Sequence, residues 1–443
     1  MYIHTQTNKK YIHNMDRHTD YTFLHNVLHP CDPCVALPCQ AWSGLSDNLE
    51  MNAARKLARF AERARFLKKY YFTSQNGIPG SFCTMVQQPQ RTHGLAKLGV
   101  IGAVTGAAVG AGYAYYKISE ARKNVGLEGT QLETTLLKYK PPVTPSRKIA
   151  SPVDSTGLKL TLFQYQTCPF CCKVRVFLDY YGISYDIVEV DPVLRKEIGW
   201  SSYKKVPILL TKVEGGYQPL NDSTMIVSLL ASYLHDTSHK IEELANYYPT
   251  VAMHDENGKF KYEIINKYFL MFNKQLPKDR SMNEITEERN WRKWADEVFV
   301  HTLSPNVYRT LDESYRTFNW FSEVGQWKEY FPTWEQMLIV NVGATAMWLI
   351  GKRLKKRHRL KDDVRQSLYD EANYWLRAIK ARGTTFMGGS KPDLSDLAVY
   401  GVLKSIEGCD AFQDLLTHTN IGNWYNAVKE QVETHSGSVN LSR

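Results

Sequence analysis

From residue 158 on, apolar and polar positions sort into short strand-like runs and then into longer helix-spaced ones. Residues 158–163 (Leu158, Leu160, Leu162, Phe163) predict a strand, and 174–181 predicts a helix stopped by Gly182. A second strand follows at 185–190, a short helix at 193–198, a strand headed by Pro207 at 205–210, and a short partner strand at 217–220. Asn221-Asp222-Ser223 then caps a helix with Ile226, Leu229, Leu230 and Tyr233 on its apolar side. Residues 238–285 are mixed and read as a connector. From 286 to 435 the period is helical. Trp291, Trp294, Ala295 and Val298 fall on one face, as do Leu368, Ala372, Trp375 and Ile379. Residues 337–350 form a mostly apolar run of fourteen, too short to span a bilayer, and Lys352, Arg353, Lys355, Lys356, Arg357 and Arg359 follow it. That basic cluster reads as a solvated helix end, with lipid headgroups or a nuclear signal as the competing readings. Asp393 is placed to cap a final apolar helix through Leu397, Val399 and Leu403.

Upstream of 158 the pattern changes character. Residues 98–116 run for nineteen positions without a charge, with Gly102, Gly106 and Gly110 at four-residue spacing and Tyr113, Tyr115 and Tyr116 at one end. This predicts a single transmembrane helix, and a buried or loosely membrane-associated helix is the alternative. Residues 117–157, with Pro141, Pro142, Pro145 and Pro152, read as a linker. The folded part from about residue 140 is expected to stand without the front end.

Charge then separates the leader from the rest. The chain has 443 residues and a formal net charge of +10, enough length for two or three domains. Within 51–75, seven Lys/Arg against Glu62 alone give +6. The excess therefore belongs to a basic leader, 51–94, and no nucleic-acid partner is expected. Its alternation of Arg/Lys with Ala, Leu and Phe is that of a mitochondrial transit peptide or a basic membrane-surface helix, with Met51 as the start. Residues 1–50 lack periodicity and read as a disordered or mis-assigned extension. Cys31, Cys34 and Cys39 with His25 or His29 would be its only metal-like grouping. Eight cysteines are too few and scattered for a secreted disulfide scaffold. Cys409 reads as a small core residue.

The chemistry concentrates at the first strand–helix junction, Tyr165-Gln166-Thr167-Cys168-Pro169-Phe170-Cys171. A Cys-x-x-Cys between a strand and a helix opens a thioredoxin-like unit, here 158–237. Cys168 ahead of the first helical turn is an exposed nucleophile whose thiolate the unpaired N–H groups and the helix dipole stabilise. Lys173 and Arg175 add positive charge. A zinc half-site or a structural pair are the other readings, and zinc lacks a second Cys/His pair nearby. Cys172 lies about 100° round the helix from Cys171 and should face elsewhere.

Taken together, these residues resemble a glutathione-transferase arrangement: an α/β thioredoxin-like N-terminal domain plus an all-α C-terminal domain, 286–435. Tyr165-x-x-Cys168-Pro169-Phe170-Cys171, SSYKKVPILL, LNDS, WADEVFVHTLSPNVYRT, KRLKKRHRL and FMGG-x-KPDLSDLAVYGVL resemble the membrane-associated prostaglandin E synthases of the second type, over roughly 155–430. That resemblance implies isomerisation of the lipid endoperoxide prostaglandin H2 to prostaglandin E2. It also implies glutathione as cofactor, and non-covalent haem held through the glutathione thiolate. By the same resemblance Cys168 is the catalytic thiol, Tyr165 polarises it or the substrate, and Cys171 is the second cysteine. Val206 and Pro207 meet glutathione through a cis peptide, with Phe170 beside them, and Asp222 and Ser223 hold its γ-glutamyl end. Helix capping is the plainer role of Asp222 and Ser223, and both roles can hold at once. A homodimer in mitochondrial or Golgi membranes, with a soluble form after cleavage, is expected. The alternatives are a glutaredoxin-like thiol–disulfide oxidoreductase, which needs Cys171 as resolver, and a non-enzymatic glutathione- and haem-binding membrane protein.

Overall fold

The computed structural model describes residues 136–254, 260–271 and 280–438. The extension 1–50 with its three cysteines, the leader, the 98–116 span and the 117–135 part of the linker lie outside the described residues. The order of elements is β1 (Arg147–Ile149), β2 (Leu160–Gln164), α1 (Pro169–Tyr180), β3 (Tyr185–Glu189), β4 (Ile208–Val213), β5 (Gly216–Asn221) and α2 (Ser223–His235). Strands lie in the order β1-β3-β2-β4-β5. β2 and β3 are parallel and joined through α1, and the other pairs are antiparallel. In register, Leu162 stands opposite Ile187 on one side and Leu209 on the other.

Both faces of this sheet are buried, so every position of β2 is buried, the polar Thr161 and Gln164 included. Leu160, Leu162, Ile187, Leu209 and Leu220 face α1 and α2 in the main core. Phe163, Val188, Ile208 and Leu210 face a second cluster with Cys168, Cys171 and Val206, closed from outside by Leu137, Val143, Trp200 and Tyr203. The linker is therefore not wholly a linker. Its β1 pairs with β3, and Leu137 exchanges backbone hydrogen bonds of 2.9 and 2.8 Å with Tyr217 at the opposite edge. Leu137 precedes residue 140, so the folded unit begins before the expected cut. A three-residue strand with one half-buried position offers no period to read.

Between the two halves lie α3 (Ile241–Ala245) and a hairpin of β6 (Thr250–His254) and β7 (Phe260–Ile264), so the connector carries structure of its own. The helical part follows: α4 (Met282–Trp294), a π turn (Ala295–Phe299), α5 (Val300–Val307), α6 (Leu311–Val324), α7 (Trp327–Tyr330), α8 (Thr333–Arg357), α9 (Val364–Arg382), α10 (Leu394–Lys404), α11 (Asp410–His418) and α12 (Ile421–Glu433). Ser281 and Glu284 form a capping box at the start of α4, and Asp393 and Asp396 form one at α10.

The two predicted aromatic faces do meet. Trp291 and Trp294 pack against Trp375 with ring centroids 5.2 and 6.1 Å apart. Val298 does not join them and is exposed. The π turn adds a residue to the helical repeat and brings Phe299 inward instead. The fourteen-residue run is also longer than expected. A second π turn, Ile339–Gly343, joins it to both flanks as one helix of 25 residues, Thr333–Arg357, which by length and composition alone could cross a membrane.

Helix α10 crosses α1 at Gly401, where a Cβ would lie 2.8 Å from the Lys173 Cα and 2.9 Å from its N. Only a residue without a side chain lets the two backbones come this close. Gly401→Ala should therefore destabilise the protein by about 1–3 kcal/mol through overpacking. Urea unfolding of the variant would show it, and an unchanged midpoint would mean that α10 can shift freely.

Candidate active site

The site is built where two helices begin. Pro169 opens α1 with its fixed φ and no N–H to satisfy, which leaves Cys168 as the N-cap at φ −75°, ψ 124°. The Cys168 N–H donates to the Tyr165 carbonyl at 3.2 Å, so the turn holds Tyr165 and Cys168 together. All three cysteines of the motif are free thiols. Contrary to the exposed nucleophile expected, Cys168 and Cys171 are wholly buried, and Tyr165 nearly so. The outer cluster of Phe170, Trp200, Tyr203, Leu137 and Val143 covers them. The sequence marks the helix N-terminus but not what folds over it.

The two thiols are electrostatically unlike. Burial pushes Cys168 up, but several groups together hold it below the ordinary thiol value. They are the Cys171 thiol donating to it, the backbone N–H groups of Cys171 and Phe170, and the Arg175 charge. Burial and its hydrogen bond to Cys168 push Cys171 well above that value. Cys168 is the thiol of the pair that ionises more readily, and Cys171 the one that holds its proton. Cys172 points elsewhere, with its sulfur 3.5 Å from the Gln166 carbonyl and 3.1 Å from an Arg175 nitrogen, and burial raises it. Arg175 also donates to the Gln166 carbonyl at 2.6 Å and to Gln164, so it braces the loop ahead of Cys168.

Lys173 gives no free charge to the thiols. It is buried against Asp296 from the first π turn and donates to Thr224 Oγ1 at 3.0 Å. Asp296 in turn accepts from Thr224 at 2.5 Å and from Tyr268 at 3.2 Å. This carboxylate joins α1, the first turn of α2, the connector and the helical domain.

The second helix start carries the polar half. Asp222 adopts φ 68°, ψ 125°, a strained backbone for a residue with a side chain. Its Oδ1 accepts from the N–H groups of Thr224 at 2.9 Å and Met225 at 3.3 Å, and Lys267 lies 3.4 Å from Oδ2. Burial raises this carboxyl, yet Lys267, Lys173 and those N–H groups hold it below the ordinary carboxylate value. Asp222 is thus a cap and an ion-pair partner at once. Ser223 is buried beside it, and among the described residues its N–H and hydroxyl have no partner. The Val206-Pro207 peptide is cis, and Val206 is buried with neither its N–H nor its C=O bonded within the described chain. An extended thiol peptide with a free carboxylate suits this cradle: Val206 offers backbone pairing, and Ser223 offers an N–H and a hydroxyl at a helix N-terminus. Glutathione fits the residues present.

One residue of the site escaped the sequence reading. Tyr203 packs over the thiol cluster and lies close enough to Asp222, Cys168 and Cys171 to feel their charge, while burial pushes its pKa well up. An aromatic residue shortly before Pro207 is the only hint of it in the sequence.

Because the Cys171 thiol is the largest of the influences that lower Cys168, Cys171→Ala should move the pH midpoint of Cys168 alkylation upward, whereas Cys171→Ser, which keeps a donor, should move it less. Alkylation rates across pH, followed by mass mapping in a Cys172→Ser background, would check this. An unmoved midpoint in the alanine variant would assign the activation to the helix N-terminus alone.

Comparisons with known proteins place the chain. The glutaredoxin family model matches residues 160–213. The chain is 46% identical over 281 residues to "Prostaglandin E synthase 2" of Mus musculus, covering 63% of this chain and 72% of the mouse protein. It is 45% identical over 288 residues to "Prostaglandin E synthase 2" of Danio rerio, covering 64% and 74%. Among solved structures, glutathione transferase F7 from Populus trichocarpa aligns over 63% of this chain and 99% of that one, at 12% identity and a TM-score of 0.35.

Proposed function

The chain belongs to the prostaglandin E synthase 2 family, and we propose that its prostaglandin E synthase activity runs through Cys168 as proton acceptor and Tyr165 as proton donor. The observation that supports this most is the asymmetry of the thiol pair, with Cys168 lowered and Cys171 raised. The substrate, prostaglandin H2, has a weak O–O bond. In the isomerisation that bond breaks while a proton leaves the carbon bearing one oxygen, which becomes the ketone. The other oxygen takes up a proton and becomes the hydroxyl. Atoms and electrons balance within the substrate, so no outside reductant is required. The Cys168 thiolate takes the carbon's proton and the Tyr165 hydroxyl supplies the oxygen's. Return of the proton from Cys168 to Tyr165 restores both groups.

Glutathione, when bound, would supply a thiol to the site. Val206 would hold its backbone, and Asp222 and Ser223 its γ-glutamyl end, with Phe170 and Pro207 at the sides. Haem does not fit the site in this conformation, where side chains fill the space over Cys168. Substrate entry needs the cover at Tyr203 to move. The leader 51–94 and the 98–116 span support an address on mitochondrial or Golgi membranes, and a glutathione-transferase-like arrangement supports a homodimer.

A glutaredoxin-like thiol–disulfide exchange is the second reading, favoured by the packing of Cys168 and Cys171 in one buried cluster. Turnover of prostaglandin H2 separates the two. Cys168→Ser should abolish isomerisation, and Cys171→Ser should leave most of it, while equal losses would favour the dithiol reading. Asp222→Ala should weaken glutathione binding and remove a cap, at a stability loss of about 0.5–2 kcal/mol. Calorimetric titration with glutathione and thermal unfolding would report each effect separately. Unchanged glutathione affinity would move its site elsewhere.

A further inference from the structure

Helix α8 presents a face that neither the thiol site nor the helical core uses. Its inner side is committed: Ile339, Ala344, Met347 and Leu354 are buried, and Gly343 is so close to Phe318 on α6 that a Cβ would lie 2.7 Å from that ring. Its outer side is exposed and mostly apolar over four turns, with Asn341 and the half-buried Thr345 as polar interruptions. Trp334 is 60% exposed, Met337 62%, Val342 47% and Leu349 55%, with Leu338 between them. These positions recur at helical spacing on one stripe. The same stripe ends in exposed Lys352, Arg353, Lys356 and Arg357. From Gln336 to Lys361 there is no acidic residue, and Glu335 is buried.

We propose that this face of α8 docks onto an anionic lipid surface, with the helix lying in the plane of the bilayer. A tryptophan-bearing apolar stripe ending in a basic turn has the composition of a helix that sinks into the headgroup layer. Anionic headgroups supply the negative charge the basic turn needs. The helix is long enough to span, but its inner side is core, so it lies flat and does not thread through. A nucleic acid would leave the apolar turns unused. A second copy of the chain brings no acid on this face to meet the basic turn. The contact is separate from the 98–116 segment and from the thiol chemistry, and it would hold the helical domain against the membrane.

The test uses the full chain reconstituted into phosphatidylcholine vesicles, with or without phosphatidylglycerol, carrying a photoactivatable lipid. Adducts are mapped by mass spectrometry. Adducts at Trp334, Met337, Leu338, Val342 and Leu349 are expected, and they should rise when phosphatidylglycerol is present. The triple variant Lys352→Glu, Arg353→Glu, Lys356→Glu should reduce them by about fivefold or more while keeping its isomerase activity in detergent, which shows that it is folded. Trp334→Ser with Met337→Ser should reduce them in both lipids. Adducts confined to 98–116, adducts indifferent to the charge reversal, or α8-to-α8 crosslinks between copies in detergent would overturn the proposal.

Discussion

The buried ion pair between Lys173 and Asp296 is the interaction on which the rest of the site depends. Taking two charges out of water is costly, and the attraction between them repays that cost only when their remaining hydrogen-bonding capacity is also met. Here Thr224 and Tyr268 both donate to the Asp296 carboxylate. The pair fixes more than its own two helices. Lys173 lies just behind the thiols on α1, and Thr224 lies one residue after Ser223 on α2. One carboxylate from the helical domain thereby sets the two helix starts that make up the site. The π turn is what aims Asp296, since it interrupts the ordinary repeat between α4 and α5. Gly401 completes the grip by letting α10 lie against the Lys173 backbone from the other side. The geometry of the thiols is thus a property of the two domains together.

Much of this fold was legible because apolar period and capping chemistry are local. β2, β3, β4, β5 and α2 lie within a few residues of where alternation and the Asn221-Asp222-Ser223 signal put them, and the Trp291, Trp294 and Trp375 faces meet. What was not legible is tertiary in origin. β1 exists because β3 has an open edge, and nothing in Arg147-Lys148-Ile149 announces a strand. Val298 was misplaced because a π turn leaves no mark in a helical wheel. The capping box of Ser281 and Glu284 was readable, yet it lies inside a stretch whose mixed polarity obscured it. At the site, spacing marked Cys168 and Cys171, and only the family resemblance pointed to Val206, Asp222 and Ser223; Val206 packs in the cluster that holds both thiols. Neither signal gave warning that Leu137, Val143 and Tyr203 would close over the thiols.

That closure changes how the chemistry is framed. An exposed cysteine is activated by a helix N-terminus against competition from water, whereas a buried one must first overcome desolvation. In this chain the overcoming is done by short-range donors: the Cys171 thiol and the first N–H groups of α1. Arg175 contributes at longer range while bracing Gln166, and the Lys173 charge is spent on Asp296. The second cysteine therefore has a use that requires no disulfide, since a protonated neighbour stabilises the thiolate by a hydrogen bond.

The same reasoning bears on how an apolar substrate and a polar tripeptide could share one entrance. The cover over the thiols is aromatic and aliphatic, and Tyr203 within it lies close enough to Asp222 and to both thiols to feel their charge. A ligand that settles at the Asp222 end therefore meets Tyr203, and moving Tyr203 opens the side of the cluster that holds Cys168 and Cys171. Occupation of the polar end and access to the thiols are then one event rather than two. The positive φ of Asp222 points to the same coupling, because a strained backbone persists where surrounding structure over-determines it, here through Lys267 and the two capped N–H groups. A turn held that firmly offers a ligand the same backbone whether or not Tyr203 moves.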